Sequence, residues 1–217
     1  MTITVVDLLE TIQINHPHQC GLAVALGLGQ QPLQFGHHGS AIGQILEYTG
    51  EALTSLSTDE RATLTNMVAE MGGFTGIVIP DEETCRFLRE RRGIDFQIES
   101  WMCSDPDAPV AHELEIDCSQ MLPMVARPGD PGTGIPIDSL TDPIQIHIAY
   151  GGSCTGGKRE DLERCHEVLS WATDLGMKVA RDVRFIVQFG SVDVRKHCER
   201  EGMLDAFLRA GAQLLEP

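Results

Sequence analysis

The sequence predicts an α/β fold with three layers, in which helices cover a mostly parallel or mixed sheet, divided into two lobes. Two observations lead to this prediction. Apolar strand-like runs alternate with amphipathic helical runs over residues 144–217, and a proline- and glycine-rich stretch over residues 124–143 separates them from an earlier set of elements. The chain of 217 residues is long enough for one large domain or two small ones, each with an apolar core.

Residues 1–124 are predicted to form the first lobe. A capping box begins its best-defined helix, because the Ser57 hydroxyl can accept from a backbone N–H while Glu60 reaches back. We expect this helix to run to about Met71, where two glycines stop it. In chain order, spacing of apolar residues predicts helices over 5–12, 40–48, 57–71 and 81–91, a buried strand over 75–79 and a strand over 112–117.

Residues 125–143 are predicted as a linker, because four prolines and three glycines within 124–143 leave little room for regular structure. Residues 144–217 then form a second, partial βαβ lobe that carries Cys154. Its predicted strands cover 144–150, 183–189 and 212–215, and its predicted helices cover 158–175, 192–201 and 203–210. Such alternation is typical of a parallel sheet covered on both faces.

The composition excludes some classes of protein. A net charge of −16 disfavours a nucleic-acid-binding protein, which needs basic surface to neutralise phosphates. The same charge opposes docking on anionic membranes, and no stretch approaches the ~20 apolar residues of a membrane-spanning helix. We therefore expect neither nucleic acid nor a membrane among the partners, whereas a small anionic substrate is compatible with a locally positive site.

The seven cysteines are scattered, odd in number and without any C-x-x-C pair, which argues against a disulfide scaffold. No basic segment followed by a long apolar run opens the chain, so we predict no signal peptide. Together these features predict a reducing, cytoplasmic setting.

The most informative segment is residues 144–162, IQIHIAYGGSCTGGKREDL, which predicts a strand, a glycine-rich turn centred on Cys154 and a helix that begins with acidic residues. A cysteine on such a turn points its sulfur at a helix N-terminus, where backbone N–H groups and the helix dipole stabilise a thiolate. A thiolate held on a rigid turn suits a metal or cluster ligand, or a nucleophile. The alternative is an idle or buried cysteine on a tight turn.

Residues 152–158 nearly spell a phosphate-binding loop, because they follow a predicted strand, precede a helix and end in Gly157-Lys158. Arg159 stands where that motif has the Ser or Thr that binds Mg²⁺, which makes a nucleotide site the weaker interpretation. Lys158 and Arg159 can still meet a carboxylate at the helix N-terminus.

Two further patterns are interpreted as ordinary surface features from their spacing alone. His16, His18 and Cys20 alternate as zinc ligands on a strand would, but their spacing matches known sites poorly, and surface or loop histidines are the favoured interpretation. Asn66 and Glu70 lie four residues apart on the predicted helix over 57–71, so both face the same side. Pattern alone favours a solvated helix face for this pair.

Residues 42–88 and 151–163 resemble the large subunits of the aconitase and 3-isopropylmalate dehydratase family. The first match is ILEYTGEALTSLSTDERATLTNMVAEMGGFTGIVIPDEET, and the second is GGSCTGGKREDL. The order of NMVAE, MGG and PDEET before GSCT makes the resemblance specific, and looser similarity extends it over most of the chain.

The resemblance implies an iron–sulfur hydro-lyase, a dehydratase or isomerase that acts on hydroxy di- or tricarboxylates, like 3-isopropylmalate dehydratase. In that family the cysteine matched by Cys154 is one of three thiolates on a [4Fe–4S] cluster. The match to Asn66 lies beside the cluster. The match to Glu70 contacts the oxygen species on the iron that lacks a thiolate, where it could move protons at the departing hydroxyl. Gly156 stands where the family usually has Asn, so the subclass of substrate stays open.

Two motifs of the family are not found in the chain, an N-terminal Asp-Ser-His region and a C-x-x-C that follows soon after the position of Pro217. We therefore interpret the chain as an internal fragment or a truncated relative, with the [4Fe–4S] cluster in the intact parent protein and absent from the chain alone. The expected partners are a small-molecule hydroxy-carboxylate substrate and a small swivelling subunit. The alternatives are a non-catalytic, truncated aconitase-like domain without a cluster and, with less support, a phosphate-binding domain.

Overall fold

The computed structural model of the chain describes residues 2–7, 41–126 and 134–217. The chain divides into two compact units, Met1–Thr141 and Asp142–Pro217. Each unit carries its own strands, and the sheets formed in the described ranges are open. The predicted α/β class, with a mixed or mostly parallel sheet, is therefore confirmed.

A mixed four-stranded sheet forms the centre of unit 1. Its strands are β1 (Thr2–Asp7), β2 (Gln44–Thr49), β3 (Thr75–Val78) and β4 (His112–Glu115), in the order β3-β2-β1-β4. β1 runs antiparallel to both β2 and β4, whereas β2 and β3 are parallel. Helix α1 (Thr58–Asn66) makes the crossover between the two parallel strands, and α2 (Glu82–Arg92) follows β3. The predictions of a helix over 81–91 and a strand over 112–117 are confirmed, with small shifts at their ends.

Two predicted helices are wrong because their residues form strands. Residues 5–7 of the first belong to β1, and residues 8–12 lie outside the described residues. The second, over 40–48, is largely β2. Leu46, Glu47 and Tyr48 are buried one after another, at 0, 7 and 0% exposure, as expected of a central strand covered on both faces. A short run without alternation cannot be told from a buried helical turn by periodicity.

The core of unit 1 lies between β2, α1 and the turns that follow α1. Leu46, Leu64 and Val68 are fully buried and belong to one apolar cluster. Tyr48 joins them, and its hydroxyl donates to the Leu64 carbonyl oxygen at 3.2 Å; burial raises the pKa of this phenol. β3 instead lies at the edge of the sheet with Ile77 44% exposed, so the prediction of a buried strand there is wrong.

A buried arginine joins the start of α1 to the start of α2. The guanidinium of Arg61, whose side chain is 6% exposed, donates to both carboxylate oxygens of Asp81 at 2.7 Å. It also donates to the carbonyl oxygens of Leu53 at 2.8 Å and Leu56 at 3.0 Å. Asp81 in turn caps α2 by accepting from two backbone N–H groups of its first turn. The hydrogen bonds from Arg61 are the main cause that lowers the pKa of the Asp81 carboxyl.

We predict that the stability of the chain depends on pH through Asp81. Its pKa is lower in the folded chain than in the unfolded chain, where an aspartate titrates near ~3.9. The contribution of Asp81 to stability is therefore complete above roughly pH 5 and is lost as the pH falls through the folded pKa. Asp81→Asn should lower the urea midpoint at neutral pH and flatten this part of the acid dependence, as followed by circular dichroism. Equal pH slopes for the two proteins would contradict the prediction.

The stretch predicted as a linker contains a short hairpin. β5 (Met124–Ala126) and β6 (Gly134–Pro136) pair antiparallel, and a 3-10 helix follows at Ile137–Ser139. The Ile137 N–H donates to the Pro123 carbonyl oxygen at 3.0 Å, which closes the hairpin at its base. Proline is tolerated in such a two-stranded ladder where its missing N–H is not needed. The expectation of no regular structure over 124–143 is therefore wrong.

Unit 2 holds a three-stranded parallel sheet. The strands are β7 (Ile148–Gly152), β8 (Arg184–Gln188) and β9 (Ala212–Leu215), in that order, and the helices are α3 (Ser153–Gly156), α4 (Arg159–Asp174), α5 (Val192–Arg200) and α6 (Leu204–Ala210). Leu162, Val187 and Phe207 are buried in one cluster between the sheet and the helices. The strands and helices predicted over 144–217 are confirmed, although β7 begins at Ile148 rather than at residue 144. None of the described helices is long and apolar enough to cross a membrane.

Candidate functional site

Cys154 lies on the turn that follows the first strand of the parallel sheet. β7 ends at Gly152, the short helix α3 carries the cysteine, and α4 begins at Arg159. The Cys154 side chain is exposed, and its Sγ lies 3.8 Å from both the Ser153 and the Thr155 hydroxyl oxygens. The carboxyl ends of parallel strands meet at one edge of the sheet, which is where ligand sites form in open α/β sheets. The thiol therefore lies where a bound group could reach it.

Close backbone contacts fix this turn against the end of β8. A Cβ on Gly152 would lie 1.9 Å from the Gln188 carbonyl oxygen, and one on Gly157 would lie 2.4 Å from the Ser153 carbonyl oxygen. The Gly190 N–H donates to the Gly157 carbonyl oxygen at 2.8 Å. Ser153 has a φ of +70°, a left-handed conformation that costs free energy in a non-glycine residue. Positions 152 and 157 thus have no room for a side chain and require glycine. The strained Ser153 directly precedes Cys154.

The two basic residues after the turn are engaged within unit 2. The Lys158 ammonium donates to the Thr155 carbonyl oxygen and pairs with Asp161 at 2.7 Å. Arg159 pairs with Asp193 at 2.6 Å, and its Nε is a buried atom without a hydrogen-bond partner among the described residues. The contacts of Lys158 argue against a phosphate-binding loop, in which this ammonium would be directed at the ligand.

The other described cysteines do not share the exposure of Cys154, and none of the six described cysteines forms a disulfide. Cys165 packs against the core of unit 2, and Cys198 is fully buried in it. Burial raises the pKa of both thiols, that of Cys198 to about 11, with a further contribution from the Glu163 carboxylate. Val168, three residues after Cys165 on α4, is 63% exposed. Both cysteines therefore belong to the packing of unit 2.

The described residues do not complete a set of cluster ligands. An iron–sulfur cluster is held by several thiolates. Residues 2–7, 41–126 and 134–217 contain no group of three or more His, Cys, Asp or Glu side chains that could hold a metal ion. The Cys154 turn fits one ligand position, because its thiol is exposed and its backbone is fixed. The candidate zinc ligands His16, His18 and Cys20 lie outside the described residues.

Asn66 and Glu70 lie in unit 1, at the end of α1 and beyond it. The helix begins at the predicted capping box of Ser57 but ends at Asn66 rather than near Met71. Residues 67–72 continue as turns, in which the Met71 N–H donates to the carbonyl oxygen three residues earlier. The prediction of one helix face shared by Asn66 and Glu70 is therefore wrong. Asn66 is half-buried, and Glu70 is exposed.

The helix ends early because the chain turns tightly into β3. Val68 is fully buried, and its carbonyl oxygen accepts from the Gly73 N–H at 3.0 Å. A Cβ on Gly73 would lie 2.5 Å from Val68 Cγ1, and one on Gly76 would lie 2.8 Å from the Cα of Thr65. Gly73 and Gly76 thus mark a close approach of the chain at β3 to α1 and the turns that follow it, not the last turn of a longer helix.

Two features of the described surface were not anticipated from the sequence. The first is that the turn after β8 contacts the Cys154 turn. The sequence over residues 183–201 indicates that turn by the same succession of strand, glycine and helix that surrounds Cys154.

The second is an open groove of about 610 Å³ in unit 1, whose lining includes the carboxylates of Glu51, Glu115 and Asp117. These carboxylates would repel a carboxylate substrate, so we assign the groove no part in binding one.

The chain is similar to known dehydratase subunits. It is 36% identical over 177 residues to the 3-isopropylmalate dehydratase large subunit of Heliobacterium modesticaldum, a match that covers 82% of this chain and 40% of that protein. It is 38% identical over 171 residues to the corresponding protein of Aquifex aeolicus, covering 79% and 39%. It is 37% identical over 178 residues to 3-isopropylmalate dehydratase large subunit 1 of Pyrococcus furiosus, covering 82% and 40%.

The chain thus spans about 40% of the length of these curated relatives. A family model described as Aconitase family (aconitate hydratase) matches residues 33–217, which include all of unit 2 and most of unit 1. Both the extent of this match and the level of identity to the relatives lead to one conclusion: the chain belongs to the aconitase family.

Proposed function

We propose that this chain is part of an iron–sulfur hydro-lyase that removes water from hydroxy di- or tricarboxylates and adds it back. The observation that carries the proposal is the exposed thiol of Cys154, on a strained turn fixed by glycine contacts at the carboxyl end of a parallel sheet. Membership of the aconitase family supports the class of reaction. The relatives named 3-isopropylmalate dehydratase large subunit support a hydroxy-dicarboxylate of that kind as the substrate.

Cys154 would be one thiolate ligand of a [4Fe–4S] cluster in the full-length protein. Iron–sulfur clusters select soft thiolate ligands. The exposed Sγ can reach a bound group without any change in the core of unit 2. When bound, the cluster supplies a Lewis acid for the hydroxyl and a carboxylate of the substrate. The other ligands would come from parts of the protein outside the described residues.

Glu70 is the proposed proton carrier, and Asn66 is the proposed residue beside the cluster. Glu70 is exposed on the turns after α1, so its carboxyl group is accessible to a substrate. A carboxyl group within hydrogen-bond reach of the departing hydroxyl would protonate its oxygen during dehydration and take the proton back during hydration. Asn66, half-buried at the last position of α1, could donate hydrogen bonds through its side-chain amide.

A second subunit is part of this proposal. The relatives are named large subunits, which implies a smaller partner for those proteins. We infer that a small swivelling subunit adds substrate contacts here as well. Cationic groups from such a subunit would favour an anionic substrate, because this chain has a net charge of −16 and Lys158 and Arg159 are already paired with carboxylates.

A non-catalytic aconitase-like domain is the second candidate function. The observation that favours it is the incomplete ligand set within the described residues. The two candidates differ in whether the full-length protein binds a cluster. Anaerobic reconstitution with iron and sulfide, followed by visible absorption and iron analysis, decides between them. A protein that stays colourless and free of iron would support the non-catalytic candidate.

We predict that the isolated 217-residue chain, reconstituted in the same way, does not turn over 3-isopropylmalate or citrate. Cys154 is the single exposed thiol among the described cysteines, and one thiolate cannot hold a cluster against solvent and oxygen. The measurement is the ultraviolet absorbance of the unsaturated product. The control is the full-length protein together with the proposed small subunit, which should be active on at least one hydroxy acid. Turnover by the isolated chain would contradict the prediction, and inactivity of both proteins would contradict the proposed function.

A further inference from the structure

We propose that the turn after β8 is a positioning element for Cys154, in which Gly190 and Gly157 hold the cysteine turn in place through backbone contact. The inference rests on the proposed role of Cys154 as a ligand. It adds a second segment to that site, one that contributes no ligand of its own. Gly190 is therefore a positioning residue, since it acts through the Cys154 turn and not on a substrate.

The contact is made by backbone atoms on both sides. The Gly190 N–H donates to the Gly157 carbonyl oxygen at 2.8 Å. A Cβ on Gly190 would lie 2.7 Å from that oxygen and 3.1 Å from the Ser153 carbonyl oxygen. A Cβ on Gly157 would lie 2.9 Å from the Gly190 nitrogen. No side chain can move aside to relieve these contacts, so the two turns can touch in this way only while both positions are glycine.

The contact supports a strained conformation. Ser153 has a φ of +70° and Gly152 has a φ of +116°, and the Gln188 carbonyl oxygen lies directly against Gly152. Strained backbone persists only where its surroundings over-determine it, and such strain clusters at functional sites. Here the end of β8 contacts the turn at its start through Gln188 and at its finish through Gly190. The backbone that carries the exposed Cys154 thiol is therefore held between these two contacts.

An ion pair ties the same two segments together a second time. Arg159, the first residue of α4, pairs at 2.6 Å with Asp193 in the first turn of α5. The Arg159 side chain is 15% exposed, so this pair is partly shielded from water. The two helices that follow the two turns are therefore linked at their starts. A metal ligand must be held to within roughly 0.5 Å to favour binding, and these linked turns provide that restraint.

The test compares Gly190→Ala with Gly151→Ala in the 217-residue chain. Gly151 is the matched control, because a Cβ at that position would meet nothing within 4 Å and its φ is not in the left-handed region. We expect amide hydrogen exchange over residues 153–157, measured by mass spectrometry, to become about tenfold faster in Gly190→Ala, equivalent to ~1.4 kcal/mol. Exchange in β9 and α6 should stay unchanged, and Gly151→Ala should match the unsubstituted chain. The rate of Cys154 alkylation by iodoacetamide in Gly190→Ala should differ from the rate in the unsubstituted chain, whereas the rate in Gly151→Ala should equal it.

Unchanged exchange over residues 153–157 in Gly190→Ala would overturn the inference. So would a uniform increase across unit 2, because Gly190 would then be a general structural residue. If Gly190→Ala does not fold, the Gly190 amide of the unsubstituted chain decides the question by NMR. Protection equal to that of the β8 amides supports the contact, and exchange at the rate of an exposed amide overturns it. These measurements need no cluster and no turnover, so their failure is distinct from failure of the proposed function.

Discussion

Replacing Cys154 by serine in the full-length protein should abolish retention of the proposed iron–sulfur cluster while the chain keeps its fold. The serine hydroxyl is a poor ligand for a metal that selects soft thiolates. Because Cys154 is exposed and lies outside the apolar core, Cys154→Ser should change the free energy of unfolding by less than about 0.5 kcal/mol. The measurements are iron per protein and visible absorption after anaerobic reconstitution, together with the urea midpoint.

Cys165→Ala is the control for this prediction. Cys165 lies on α4 of the same unit and packs against the core, so its removal should cost stability, about 1 kcal/mol. The cluster should be retained, because a part-buried thiol with a raised pKa is not available as a ligand. The two variants are therefore expected to show opposite patterns, one losing iron and the other losing stability. Equal loss of iron in both would mean that Cys154 has been assigned the wrong role.

The fold of unit 2 could be predicted from sequence because each of its elements has a local signal. Strand-like apolar runs, glycines and amphipathic helices follow one another over residues 144–217, and parallel strands joined by helices need no distant partner to be recognised. Unit 1 is different. β1 pairs with β2 and also with β4, which is more than a hundred residues away: Thr2 lies opposite Glu115. Pairing at that distance leaves no local signal, and the strand was misassigned as a helix.

The candidate site was likewise predictable from the sequence only in part. The strand, turn and helix around Cys154 were predicted, since glycine and a capped helix are local features. The contact between Gly157 and Gly190 was not predicted, because a glycine in each of two distant turns does not reveal that the turns meet. The ion pair between Lys158 and Asp161 was also not predicted. This pair argues against a phosphate-binding role for Lys158, because it engages the ammonium group within the chain. The early end of α1 depends on how Gly73 and Gly76 meet Val68 and Thr65, which only the packing determines.

Glu70→Gln in the full-length protein should keep the cluster and lower kcat by roughly 10²–10⁴-fold, the usual contribution of general acid–base catalysis. Glutamine has nearly the same shape as glutamate and can still form hydrogen bonds, but it cannot carry a proton at neutral pH. Glu70 is exposed on the turns after α1, so the substitution should leave the free energy of unfolding within about 0.5 kcal/mol of its original value. KM should change less than kcat, because a carboxylate contributes little attraction to an anionic substrate.

Glu113→Gln is the matched control, since it makes the same chemical change at another exposed carboxylate of unit 1, on β4. It should leave kcat unchanged. The pH profile of kcat adds a second criterion, because loss of a proton-carrying group removes one limb of the profile, whereas loss of a structural carboxylate lowers the whole profile. Full activity of Glu70→Gln would assign Glu70 to the solvated surface. A fall in kcat that is matched by loss of iron would instead place Glu70 in the support of the cluster, because the proton-transfer role requires that the iron content stay constant.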